Sequence, residues 1–165
     1  MTEKDEAPGV RYVRALPSMA PLLAGMWKRL IDEETPPLIE AGATGEEDSR
    51  LAFSQMLADP DRCTGFVAFV DGAPAGFIMG YVYSRPYGVP TRAGQILHWY
   101  VAPPSRGGGI GRALYGLLTD WFEKEKVEIV EVLARDEPDR DAQWRRKGFV
   151  VTLRMYGRRT GKPGP

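Results

Sequence analysis

Apolar residues near the start of the chain recur at three- and four-residue spacing: Leu22, Leu23, Met26, Trp27, Leu30 and Ile31. That period puts one apolar stripe on a helix, predicted over residues 18–34. Pro17 opens it and Pro36-Pro37 ends it. Before it, Val10 to Leu16 alternates as a strand. After a Pro/Gly loop at 35–45, Glu46 to Ala58 carries Leu51, Phe53, Met56 and Leu57 as a second helix. The period then shortens to two. Gly65–Val70 and Ala75–Tyr83 read as strands joined by Asp71-Gly72, a hairpin signal. A loop at 85–90 leads to a strand over Gln95–Val101. A helix follows at 109–125, with Ile110, Ala113, Leu114, Leu117, Leu118, Trp121 and Phe122 on its apolar side. Val127–Leu133 is a strand, 139–147 a short helix and Phe149–Tyr156 a last strand. The order βααβββαβαβ predicts an α/β fold with mixed strand directions, hairpins first and then a strand–helix–strand crossover. Residues 1–9 and 160–165 read as flexible tails around a single domain at 10–159.

Composition narrows the function classes. The chain has 165 residues, 43% hydrophobic and 27% charged, enough for one sizeable core. Lys plus Arg and Asp plus Glu are 22 each, so no global cationic field draws nucleic acid or a membrane surface. One cysteine, Cys63, and one histidine, His98, exclude an internal disulfide, a cysteine-built zinc site and a multi-histidine metal site. The polar start lacks a signal core and no apolar run is long enough to span a bilayer, so the expectation is a cytoplasmic protein.

The chemistry concentrates in Val101-Ala102-Pro103-Pro104-Ser105-Arg106-Gly107-Gly108-Gly109-Ile110-Gly111-Arg112. It lies between a predicted strand and the most amphipathic helix. Four glycines in five residues let the backbone approach a ligand and turn several N–H groups the same way, and the following helix adds its positive end. A P-loop would need Gly-Lys-Ser/Thr, but Arg112 and Ala113 follow Gly111. The dinucleotide spacing fails too, because Arg112 or Leu114 stands where the third glycine belongs.

Arg106-Gly107-Gly108-Gly109-Ile110-Gly111, entered through Val101-Ala102-Pro103, fits Arg/Gln-x-x-Gly-x-Gly/Ala. It resembles the acetyl-CoA-binding motif of the GCN5-related N-acetyltransferase (GNAT) superfamily. The element order and Lys147-Gly148-Phe149 extend the resemblance over residues 10–157. The resemblance implies a mixed, mostly antiparallel sheet flanked by helices, with a splayed central parallel strand pair. It implies that N–H groups from Arg106 to Gly111 (Arg106, Gly107, Gly108, Gly109, Ile110, Gly111) hold the pyrophosphate, with Arg112 helping to neutralise it. The strand ending at Tyr100 and Val101 would pair with the pantetheine arm, and an N–H near Val101 would polarise the acetyl carbonyl.

The remaining candidates are weaker motifs. Trp144 stands where many members carry a tyrosine that protonates the departing thiolate. His98 is the candidate base, since an ordinary imidazole titrates near 6.5, and Tyr83, Tyr87 and Tyr100 are the candidates to replace that acid. Glu33, Glu34, Tyr83 and Tyr87 are candidates for the acceptor site. Each also has a plain structural reading, as a packed aromatic or a solvated carboxylate. The reading is an acetyl-CoA-dependent N-acyltransferase acting by direct attack of a primary amine, on a small molecule rather than a protein N-terminus or lysine. A homodimer is compatible with it. The rival is a non-catalytic acyl-CoA-binding or interaction domain of the same fold.

Overall fold

The computed structural model describes residues 9–34, 45–85, 91–132 and 138–151. Two compact units account for them, one of residues 9–34 with 45–132 and one of 138–151. In the larger unit, strand β1 (Val10–Arg14) leads through a single 3-10 turn, Pro17–Met19, into helix α1 (Ala20–Glu34). Helix α2 (Glu46–Leu57) follows, with Glu46, Glu47 and Asp48 in its first turn against the positive helix end. Then come β2 (Cys63–Val70), β3 (Ala73–Ser84), β4 (Arg92–Val101), α3 (Ile110–Lys124) and β5 (Ile129–Val132). The predicted hairpin forms as expected. Val70 pairs with Ala73, and Asp71 and Gly72 both take positive φ, 50° and 81°, as a two-residue type I′ turn requires.

The five strands lie in the order β1-β2-β3-β4-β5. The first three pairings are antiparallel and β4–β5 is parallel. Both faces are covered, which is why β2 and β3 read as nearly continuous apolar runs. On one face α1 and α2 bring Leu23, Ala24, Met26, Phe53 and Leu57 against Val67, Phe77, Met79 and Tyr100. On the other, α3 buries Ile110, Leu114, Leu118, Trp121 and Phe122, the apolar side expected from its spacing. Glycine makes that second contact close. A Cβ on Gly80 or Gly94 would stand 2.8 or 2.6 Å from the Phe122 ring.

A β-bulge decides which way the end of β4 faces. Met79 pairs with His98 but Gly80 pairs with Ile96, so Leu97 is an extra residue in β4. Without it, His98 and Tyr100 would point toward α3. With it, they share the α1/α2 face, and Trp99 stacks on Tyr115 of α3. The parallel ladder with β5 runs from Ala93↔Ile129 to Ile96↔Val132 and stops at the bulge. Among the described residues, β4 from Leu97 to Val101 has no strand partner on its β5 side.

In the smaller unit, helix α4 (Pro138–Arg146) ends at Gly148, φ +86°. The Gly148 N–H bonds the Arg145 carbonyl at 2.9 Å and the Phe149 N–H bonds the Trp144 carbonyl at 3.1 Å. The Trp144 and Phe149 rings meet edge to face, centroids 5.1 Å apart. These are the two bonds and the apolar contact of a Schellman motif, and they explain Trp144 as the residue that closes its own helix end. No strand forms at residues 149–151, and the rest of the strand predicted over Phe149–Tyr156 lies outside the described residues.

Candidate functional site

The glycine turn stands at the free end of β4. A short 3-10 turn, Pro103–Ser105, carries the chain out of the strand. Arg106 is extended, then Gly107 and Gly109 take φ of +86° and +84°. Side chains other than Asn and Asp rarely adopt that region, so glycine is required there for the backbone. A Cβ on either would meet nothing within 4 Å, so the surrounding space is open. Gly109 caps α3 without a side-chain hydrogen bond. The first helical bond, Ala113 N–H to the Gly109 carbonyl, is 3.0 Å. The N–H groups of Ile110, Gly111 and Arg112 therefore precede any helical acceptor and carry the positive end of a 15-residue helix. Gly111 sits against Trp99 and Val101, each 3.5 Å from where its Cβ would be. Arg112 is exposed beside this row of donors. N–H groups without a helical acceptor, on a helix start that also carries the exposed Arg112, suit phosphate oxygens, so the residues present fit a diphosphate.

Arg106 is turned to another task. Its Nε donates to the Val101 carbonyl at 2.8 Å, and its terminal nitrogen donates to Glu33 of α1. The Tyr100 hydroxyl donates to the other Glu33 oxygen at 3.0 Å, and the Arg106 guanidinium lies 5.9 Å from the Tyr100 ring centre. Arg106, opposed by partial burial and helped by Tyr100, holds the Glu33 carboxyl below its usual range. Burial first, then Glu33, raises the Tyr100 hydroxyl. Two sequence candidates assigned to different ligands thus bond each other. They border an open groove of about 460 Å³ that also meets Arg29, Pro74, Ala75 and Pro103.

His98 packs among rings, with Trp27, Phe53 and Phe77 centred 6.3, 5.6 and 6.4 Å away. Burial pushes it down to about 4. A base with that affinity for protons is weak at neutral pH, so the environment is one of packing rather than proton transfer.

A second polar cluster lies on the same sheet face at the other end of β4. The Tyr83 hydroxyl donates to Glu131 of β5, and Arg85 pairs with Glu131 at 3.0 Å. Tyr81 stacks on Tyr83, centroids 5.2 Å apart. Burial, then Glu131, pushes Tyr83 up to about 12, so it holds its proton throughout the neutral range. Sequence reasoning named Tyr83 but passed over Glu131, because nothing local signals a partner 48 residues away. Tyr87 and the Glu34 side chain lie outside the described residues. Cys63 is a buried thiol raised to about 11 chiefly by that burial, and it packs in the core.

A model of the Acetyltransferase (GNAT) family matches residues 27–149. No curated protein matches the sequence significantly. Solved structures do share the fold. A predicted acetyltransferase with acetyl-CoA from Clostridium acetobutylicum superposes with a TM-score of 0.74 at 21% identity, covering 91% of this chain and 96% of the other. Ribosomal-protein-alanine N-acetyltransferase from Brucella melitensis biovar Abortus 2308 gives 0.66 at 23%, covering 92% and 99%. Glucosamine-6-phosphate N-acetyltransferase from Arabidopsis thaliana gives 0.68 at 14%, again covering 92% and 99%.

Proposed function

The chain belongs to the GNAT family of acetyltransferases, and on that premise we propose that it transfers the acetyl group of acetyl-CoA to a primary amine of a small molecule. The observation that carries the reading is the glycine turn and the helix start after it, whose Ile110, Gly111 and Arg112 N–H groups precede any helical acceptor, at the end of a β4 stretch that among the described residues has no strand on its β5 side. The turn would hold the diphosphate through backbone N–H groups and Arg112. Strand residues 97–101 would take the pantetheine arm as an added strand on the side where no strand lies among the described residues, the Val101 carbonyl there being held by Arg106. When bound, acetyl-CoA supplies an activated acetyl thioester that the amine attacks directly.

The chain's own residues position and discharge rather than form a covalent link. A backbone N–H beside Val101 would support charge on the acetyl oxygen. A thiol's ordinary pKa, about 8.5, lets the thiolate leave to water without an acid. The Tyr100 hydroxyl, which donates its hydrogen bond to Glu33, and Trp144, which caps a helix, are then not needed as acids. Glu131, with Tyr83 and Arg85 around it, would receive the acceptor on the α1/α2 face, and the amine would attack in its neutral form, its proton passing to water. A small acceptor suits this compact cluster of one carboxylate, one phenol and one guanidinium. The fold itself does not select, since one neighbour is named for a ribosomal protein and another for an amino sugar. The cytoplasm, where acetyl-CoA is available, is the compartment this reading expects.

Calorimetric titration with CoA and acetyl-CoA, followed by an amine panel including small amines and peptide N-termini, tests the proposal. Binding of both with saturable thiol release supports it. Binding without transfer to any amine would favour a non-catalytic acyl-CoA-binding domain, and no binding would remove the cofactor site.

A further inference from the structure

Glu33 stands 73 residues before Arg106, yet both of its oxygens are engaged at the exit of β4. Arg106 fastens the loop it ends to the strand it left, through the Val101 carbonyl at 2.8 Å. At the strand exit the Ala102 N–H bonds the Ala75 carbonyl of β3 at 2.8 Å, but beyond it the described backbone bonds are short-range, Ser105 N–H to Ala102 and Arg106 N–H to Pro103, at 2.8 and 3.2 Å. Gly107, Gly108 and Gly109 are exposed, and no Cβ placed on Gly107 or Gly109 would touch anything. Glycine loses more conformational freedom on ordering than any other residue. A turn of three such residues needs an outside tether if its N–H groups are to point together before a ligand arrives. The Glu33–Arg106 pair is that tether among the described residues.

We propose that Glu33 is a positioning residue for the cofactor turn, acting through Arg106, rather than an acceptor contact. This rests on the reading that the turn binds CoA. The guanidinium orders the turn's backbone from behind and leaves phosphate contact to the N–H groups and Arg112. The pair is half-exposed, with side chains 51% and 32% accessible for Arg106 and Glu33, so the effect is modest and salt-sensitive.

The test uses the full chain with Glu33→Gln, Arg106→Gln and the double variant, titrated with CoA. Amide hydrogen exchange of the segment holding Gly107–Gly109 is followed without ligand. Glu33→Gln keeps an acceptor for the Tyr100 hydroxyl and breaks the ion pair. The expected result is roughly fivefold weaker CoA binding, faster exchange in the turn, and a double variant no worse than Arg106→Gln alone. Unchanged exchange with unchanged affinity overturns the proposal, as does full additivity of the two substitutions. Tighter CoA binding in Glu33→Gln also overturns it, because Arg106 would then be a phosphate ligand that Glu33 had been withholding. If the unsubstituted protein itself fails to bind CoA, the parent reading fails first and separately.

Discussion

Gly109 offers a clean separation of backbone from charge. Its φ of +84° and ψ of −8° lie in the left-handed region, and its Cβ would enter open space. Asn and Asp tolerate that region better than other side chains and are nearly the same size. Gly109→Asn and Gly109→Asp therefore share strain and bulk and differ by one negative charge. A carboxylate about 5 Å from a bound phosphate is repelled by ~0.8 kcal/mol in a water-like medium and by ~3 kcal/mol at an effective dielectric of 20. Gly107 to Gly109 are exposed, which keeps the value toward the lower end. About 1–2 kcal/mol, or roughly five- to thirtyfold weaker binding of CoA by Asp than by Asn, is expected. Calorimetry at low and at raised salt reads it, and the gap should narrow as salt rises. Equal affinities for the two variants at low salt would refute the placement of the diphosphate at this helix end.

Three other outcomes follow from the geometry. Gly94→Ala puts a methyl group 2.6 Å from the ring of Phe122, which is 1% exposed. An overpacking cost of about 1–3 kcal/mol should lower Tm by roughly 3–10 °C, whereas Gly116→Ala, where nothing lies within 4 Å, should not lower it. An undiminished Tm for Gly94→Ala would mean that α3 is not held that close. His98 is held at about 4 in the folded chain against an ordinary 6.5, so the unfolded state takes up a proton first as pH falls. Stability is then complete above about 6.5 and is lost down to about 4, by at most ~3 kcal/mol given the ring's residual exposure. Urea unfolding of His98→Phe should show a shallower decline over that range, and parallel curves would contradict the buried neutral imidazole. Glu131→Gln should raise the KM for the amine at least tenfold and leave CoA affinity alone. An unchanged amine KM would remove Glu131 from the acceptor site.

Much of this protein was written locally. The period of Leu22 to Ile31 identifies α1, Asp71-Gly72 the hairpin, and Ile110 to Phe122 the buried side of α3. Each depends on contacts or dihedrals a few residues apart. The glycine turn was equally legible, because positive φ at Gly107 and Gly109 and the N–H groups of a helix start are properties of adjacent residues. Tertiary structure decided what depends on partners far along the chain. The extra residue Leu97 arises from the register of β4 against β3, and that register turns His98 into the aromatic pocket of α1 and α2. Glu33 reads as an acidic surface residue until α1 docks beside Arg106, and Glu131 as one of several strand carboxylates until β5 brings it to Tyr83. Side-chain chemistry and short-range periodicity are set by the order of residues. Which charge neutralises which, and which imidazole loses its water, is set only when packing closes distances that the chain leaves open.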